Sequence, residues 1–156
     1  MTLQNDRKEE DTIILINKFI EATQRKRKIL VKEIEDSAEN IFQLGENLFT
    51  KFDNQSDDWA VGWILQVLKR KKPEFFNNKI FNNWFLTSSD QDINYDSLQL
   101  NLLEENFEEA DRLTSEYLRK LAGKVAEKRG YVFYSEVKNM SGLDLITIDR
   151  LWNIYS

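Results

Sequence analysis

Two groups of residues in this sequence are of types and spacings that could do chemistry. The first is a run of carboxylates, Glu104, Glu105, Glu108, Glu109 and Asp111. Clustered carboxylates hold divalent ions or share a proton in acid–base work, and Glu105 and Glu109 have the spacing of one helix face. The second is apolar and aromatic: Tyr131, Phe133, Tyr134, Val137 and Met140, set between Gly130 and Gly142. Such residues on a loop make a greasy platform for a flat ligand; the same residues can equally close a core. The chain has no His and no Cys, which removes thiol nucleophiles, disulfides, structural zinc and every His-based dyad. No Glu-x-x-His or Asp-x-Asp pattern accompanies the carboxylates, so they read as a solvated helix face before a metal site. No phosphate-binding loop, dinucleotide fingerprint or Gly-x-Ser-x-Gly elbow occurs. Asn54-Gln-Ser56 and Asn139-Met-Ser141 fit the glycosylation sequon as chance matches.

The elements that must position these groups are helical. One Pro, five Gly and 31% charged residues in 156 describe a soluble, helix-rich chain of one or two compact units. A net charge of −5 excludes a strongly basic nucleic-acid binder, and no apolar run approaches the roughly 18 to 20 residues of a membrane span. Asp11 is placed to cap a helix with Ile13, Ile16, Phe19 and Ile20 inside, whose polar face ends in Arg25-Lys-Arg-Lys28. That basic run is followed at once by Glu33, Glu35, Asp36 and Glu39 and reads as a balanced face. Ser37 opens a second helical stretch with Ile41, Leu44, Leu48 and Phe52 on one stripe. Trp59, Trp63, Ile64, Val67 and Leu68 form the apolar face of a third, closed by cations before Pro73. Phe76, Ile80 and Trp84 recur at helical spacing and predict a fourth helix over Pro73 to Leu86.

Thr87 to Asp92 has no apolar residue and reads as a linker, dividing the chain into a helical bundle over 1–90 and a second part over 91–156. The first holds 14 basic and 15 acidic residues and the second 8 and 12, so the acidity lies mostly in the second. There, Leu98, Leu102 and Leu103 make one short helix. Asn106 opens a longer one that stops at Gly123, and a last helix runs from Leu145 to Tyr155, started by Asp144 or Thr147.

The stretch Tyr95-Asp-Ser-Leu-Gln-Leu-Asn-Leu-Leu-Glu-Glu-Asn-Phe-Glu-Glu-Ala-Asp111, then Thr114, Tyr134-Ser-Glu-Val137 and Leu143-Asp-Leu-Ile-Thr-Ile-Asp-Arg-Leu-Trp-Asn-Ile-Tyr-Ser156, resembles the genomes-uncoupled family of porphyrin-binding regulators of magnesium chelatase. The resemblance covers residues 95–156 without an evident gap. It implies an all-α protein: an N-terminal helical bundle followed by the first part of a mostly helical porphyrin-binding core. It also implies a non-enzymatic accessory factor that binds protoporphyrin IX and magnesium protoporphyrin IX. Such a factor stimulates the chelatase through contact with its large porphyrin-binding subunit. Carried over by position, the resemblance assigns Tyr134 and Val137 to the porphyrin-binding face, with Val125 and Phe107 as further candidates. Phe107 has a core alternative, since its spacing with Ala110 and Thr114 suits a helix pair. Asp111 and Asp149 read as capping or hydrogen-bonding groups and Trp152 as a core anchor.

Two departures from the family pattern bear on binding. Ser141 and Gly142 stand where many relatives have a Pro, and the sequence stops at Ser156 where relatives continue into a Gly-x-Phe-Gly-Phe-Ser-Val-Gln segment. The expectation is half a core and weaker porphyrin binding than in full-length relatives. A helical interaction adaptor that no longer holds porphyrin is the alternative. The mixed-charge start lacks transit-peptide and secretory features, and Asn, Lys, Ile and Phe are abundant as AT-rich codons favour. The reading is therefore a plastid-encoded stromal protein, or a cyanobacterial cytoplasmic one, with at most peripheral membrane contact.

Overall fold

The computed structural model describes residues 2–53, 55, 59–77 and 82–155, which are helical with no strand among them. Helix α1 spans Thr2–Glu21 and buries Thr12, Ile16 and Phe19. Asp11 therefore lies inside this helix rather than at its cap. The basic run does not end α1 either; it opens a separate helix, α2, over Gln24–Asp36, whose Thr23 cap accepts from the Lys26 N–H. The sequence reading merged these two helices because their apolar phases nearly match across the turn. Arg27 faces inward from α2, where its Nε donates 3.0 Å to Phe19 O and its guanidinium also donates to Ile20 O. It thereby satisfies carbonyls left open at the end of α1 and lies 5.0 Å over the Trp59 ring.

Helix α3 (Ala38–Gln43) and a 3-10 segment over Gly45–Lys51 follow, placing Ile41, Leu44, Leu48 and Phe52 inside. Helix α4 (Trp59–Lys71) is the central element: Ala60, Val61, Gly62, Ile64, Leu65, Gln66, Val67 and Leu68 are all buried. A helix apolar on nearly every side must be surrounded, and α4 packs on α1 and α3. The predicted helix over 73–86 is replaced by a 3-10 turn at Pro73–Asn77, with Phe75 and Phe76 buried, a 3-10 step at Asn82 and Asn83, and irregular backbone from Trp84 to Leu86. Ile80 of that expected stripe lies outside the described residues. The density of Phe and Asn there satisfies a helical spacing without supplying good helix formers.

Helices α5 (Asp96–Leu103) and α6 (Phe107–Ala122) pack on one another, and α4 packs on α5. Gly123, at φ 119°, ends α6 and passes directly into a short helix, α7 (Lys124–Arg129), which the sequence reading did not assign. A 3-10 segment over Tyr134–Asn139 rests on α6. Helix α8 begins at Gly142 and ends at Tyr155, so Asp144 stands in its first turn and Thr147 in its second. It packs on α4 and α5. A Cβ built at Gly62 would stand 2.1 Å from Ile154 O, so only glycine permits the α4–α8 approach.

Three buried polar side chains hold this arrangement. Gln66 Nε2 donates to both Leu102 O (3.0 Å) and Tyr155 O (2.6 Å), closing the ends of α5 and α8 with one amide. Gln99 pairs with the Phe85 backbone through its carbonyl and its amide, at 2.9 and 3.0 Å. Asp144 is fully buried and accepts from Ser89 Oγ, from the Asp90 N–H (2.9 Å) and from Tyr95 OH (2.7 Å). Thr147 Oγ1 adds a bond to Ser88 O at 2.7 Å. The polar stretch 87–92 thus lies hydrogen-bonded along the first turns of α8.

Candidate functional site

The two groups of candidate residues meet different fates. Among the carboxylates, Glu105 is not on the helix of Glu109; it sits in the α5–α6 turn at φ 60° and pairs with Arg70 at 2.9 Å. Glu104 pairs with Lys69, and Glu109 receives both Nε and a terminal nitrogen of Arg112, at 2.8 and 2.7 Å. The Arg112 guanidinium holds the Glu109 carboxyl below the usual glutamate range. Glu104, Glu105 and Glu109 thus each have a cation, and no group of three acids among the described residues is arranged to hold a metal. The expected shared face of Glu105 and Glu109 fails because α5 ends at Leu103, where the Glu104 and Glu105 amides close its last turn on Leu100 O and Leu102 O, and three residues separate it from α6.

The apolar group is on the surface. Tyr134 is 95% exposed and Val137 46%, both on the 3-10 segment, where a three-residue spacing places them on one side. Val125 is 70% exposed on α7. Both α7 and the 3-10 segment rest on α6, so these residues share one supporting helix. Tyr131 and Phe133 between them are half exposed, with rings 5.4 Å apart edge to face. Lys124, Lys128 and Lys138 are exposed on the same stretch.

Phe107 does not close the core as its spacing suggests. It is 41% exposed and stacks on Trp152 at 6.4 Å, while Trp152 Nε1 donates 2.9 Å to Thr114 Oγ1. Trp152 is accordingly a partly buried bridge between α8 and α6. Asp149 accepts from the Asn153 amide, and Asp111 is exposed within α6 with no capping position.

The loop between α7 and the 3-10 segment owes its shape to one residue that the sequence reading passed over. Arg129 ends α7, and Gly130 at φ 89° turns the chain back over it. The Arg129 guanidinium carbon lies 3.7 Å from the Phe133 ring centre and 4.7 Å from that of Tyr131. One terminal nitrogen donates to Tyr131 O at 3.0 Å and to Glu136 Oε2 at 2.6 Å. Glu136 Oε2 also accepts from the Phe133 N–H at 2.8 Å. Arg129 and that backbone amide together hold the Glu136 carboxyl below its ordinary value. The signal that could have found this is Phe133-x-x-Glu136, the spacing of a carboxylate folding back on its own helix start.

Two of the clefts among the described residues lie elsewhere. One of about 380 Å³ separates α1 from α2 and is lined by Lys18, Glu21, Ala22, Lys26, Ile29 and Leu30. The other, of about 640 Å³, runs along the outer face of α6 beside Glu108, Asp111 and Arg119. Neither includes Tyr134, Val137 or Val125.

Among the described residues the fold is helical without strands and displays an aromatic and aliphatic loop beside lysines. Residues 88–156 match the family described as GUN4-like. It is 36% identical over 101 residues to a Ycf53-like protein of Synechocystis, covering 62% of this chain and 43% of that one. Over 58 residues it is 48% identical to a chloroplastic tetrapyrrole-binding protein of Arabidopsis thaliana, covering 37% of this chain and 22% of the relative. An uncharacterized ycf53 protein of Porphyra purpurea is 38% identical over 68 residues, which are 44% of this chain and 29% of the other. The matched segments thus span less than half the length of each of these relatives.

Proposed function

We propose that this protein is an accessory regulator that binds tetrapyrroles and does no chemistry of its own. The observation that carries the reading is the exposed set Tyr134, Val137 and Val125 with Tyr131 and Phe133. A folded protein leaves that many large apolar side chains together in water where something covers them. A porphyrin is a flat apolar disc with two carboxylates. It asks for aromatic and aliphatic contact with a few cations at the margin, and Lys124, Lys128 and Lys138 are of the right type. The name of the Arabidopsis relative supports the same ligand class.

In this reading the ligands are protoporphyrin IX and magnesium protoporphyrin IX. Tyr134 and Val137 form the contact face, with Val125 beside them and Phe107 at the α6–α8 seam. Residues 91–156 carry the ligand and residues 1–90 form the supporting helical bundle. The protein stimulates magnesium chelatase by contact with its large porphyrin-binding subunit, in the plastid stroma or a cyanobacterial cytoplasm. No helix among the described residues is long and apolar enough to cross a membrane. A second reading, a helical interaction adaptor, draws on Leu143 and Ile146, exposed on one face of α8 near the exposed Leu86.

The test is quenching of tryptophan fluorescence during titration with a soluble dicarboxylate porphyrin, corrected for absorbance. Saturable quenching that weakens by about tenfold in Tyr134→Ala and Val137→Ala supports the site. A folded wild-type sample without saturable binding overturns it and leaves the adaptor reading.

A further inference from the structure

We propose that Arg129 is the positioning residue of the aromatic loop, and that the loop presents Tyr134 and Val137 only while Arg129 is clasped between Tyr131 and Phe133. The inference rests on the tetrapyrrole reading above and deepens it. Every contact of the clasp closes within residues 129–136: two rings around the guanidinium, the Tyr131 carbonyl, and a Glu136 carboxylate that bonds both Arg129 and the Phe133 N–H. A planar, permanently charged fork can stack on rings and donate in its own plane at the same time, which a lysine ammonium cannot do. Arg129 Nε is buried without a hydrogen-bond partner among the described residues, so the side chain is held by these stacking and terminal-nitrogen contacts.

The Arg129 and Glu136 side chains do not themselves supply the display surface. Arg129 and Glu136 side chains are each less than one-fifth exposed and are turned to one another, whereas Tyr134, one residue beyond Phe133, is almost wholly in water. A loop carrying an exposed tyrosine ordinarily samples many conformations, and fixing it beforehand lowers the entropy lost when a rigid disc settles on it. Arg129 thus acts on binding through Tyr134 and Val137.

The experiment compares wild type with Arg129→Ala, Arg129→Lys and Glu136→Gln. Amide hydrogen exchange of residues 131–137 is measured alongside binding of two probes: deuteroporphyrin, a dicarboxylate, and its uncharged dimethyl ester. The expected result is fast exchange in this loop for Arg129→Ala, with thermal stability close to wild type. Affinity for both porphyrins should fall by about tenfold, with Arg129→Lys failing to restore it. Loss confined to the dicarboxylate overturns the proposal, because Arg129 would then be meeting a ligand carboxylate directly. Unchanged exchange in Arg129→Ala, or unchanged affinity for both probes, also overturns it. Failure of the wild type to bind either probe overturns the tetrapyrrole reading and the positioning role built on it. That outcome is distinct from wild-type binding that Arg129→Ala retains.

Discussion

Asp144 is the residue on which the junction between residues 87–92 and α8 turns. Burial by itself would raise its carboxyl, but donation from Ser89, Tyr95, the Asp90 amide and Ser141 outweighs that and holds it below the usual aspartate range. Because its folded value is depressed, the stability it contributes is fully present above the unfolded aspartate range and is lost as pH falls through the folded value. Asp144→Asn puts an amide where both oxygens now accept, setting a donor against the Asp90 N–H or a hydroxyl. We expect a loss of about 2–4 kcal/mol at neutral pH, read from urea unfolding. The wild type's loss of stability below about pH 4 should be shallower in the variant. Asp144 was legible in the sequence as a helix-start signal and no more. Its partners lie some fifty residues upstream, beyond anything that local spacing encodes. Tyr134 and Val137 were singled out by resemblance, and their composition alone left a core reading open.

At the scale of elements, the periodic stripe of α4 was readable, whereas the start of α1, its break from α2 and the short or crowded elements were not. The stripe of α4 was visible because Ile64, Val67 and Leu68 repeat at helical spacing, whereas Gln66, buried on the same helix, looked like an ordinary polar position. Its two acceptors are the ends of helices that begin well downstream. Helix α7, six residues long, carries too few apolar residues to show a period, and it depends on packing against α6. The α4–α8 contact is the sharpest constraint among elements. A methyl group at position 62 meets the Ile154 backbone, which cannot rotate aside as a side chain would. Gly62→Ala should therefore cost about 2–3 kcal/mol, despite alanine's better helix propensity, with a lowered thermal midpoint in circular dichroism. A neutral or stabilising outcome would mean that the two helices sit farther apart than described.

For the whole molecule, the cationic end of α4 ties the parts together. Arg70 pairs with Glu35 of α2 on one side and with Glu105 of the α5–α6 turn on the other, and Lys72 pairs with Glu39 of α3. Exposed pairs of this kind add little individually. The buried contacts of α4 with α1, α3, α5 and α8 carry the cohesion. We expect one unfolding transition, coincident by tryptophan fluorescence and far-ultraviolet circular dichroism; two separated transitions would show residues 1–90 and 91–156 melting independently. The span between Gln66 and its partner Tyr155, 89 residues along the chain, also has a consequence for synthesis. At ribosomal speeds α4 emerges on the order of five to twenty seconds before the helix that covers its glycine face. During that interval an almost uniformly apolar helix waits with one flank open, so the nascent chain has its greatest need of a chaperone at α4, well after its first three helices are made.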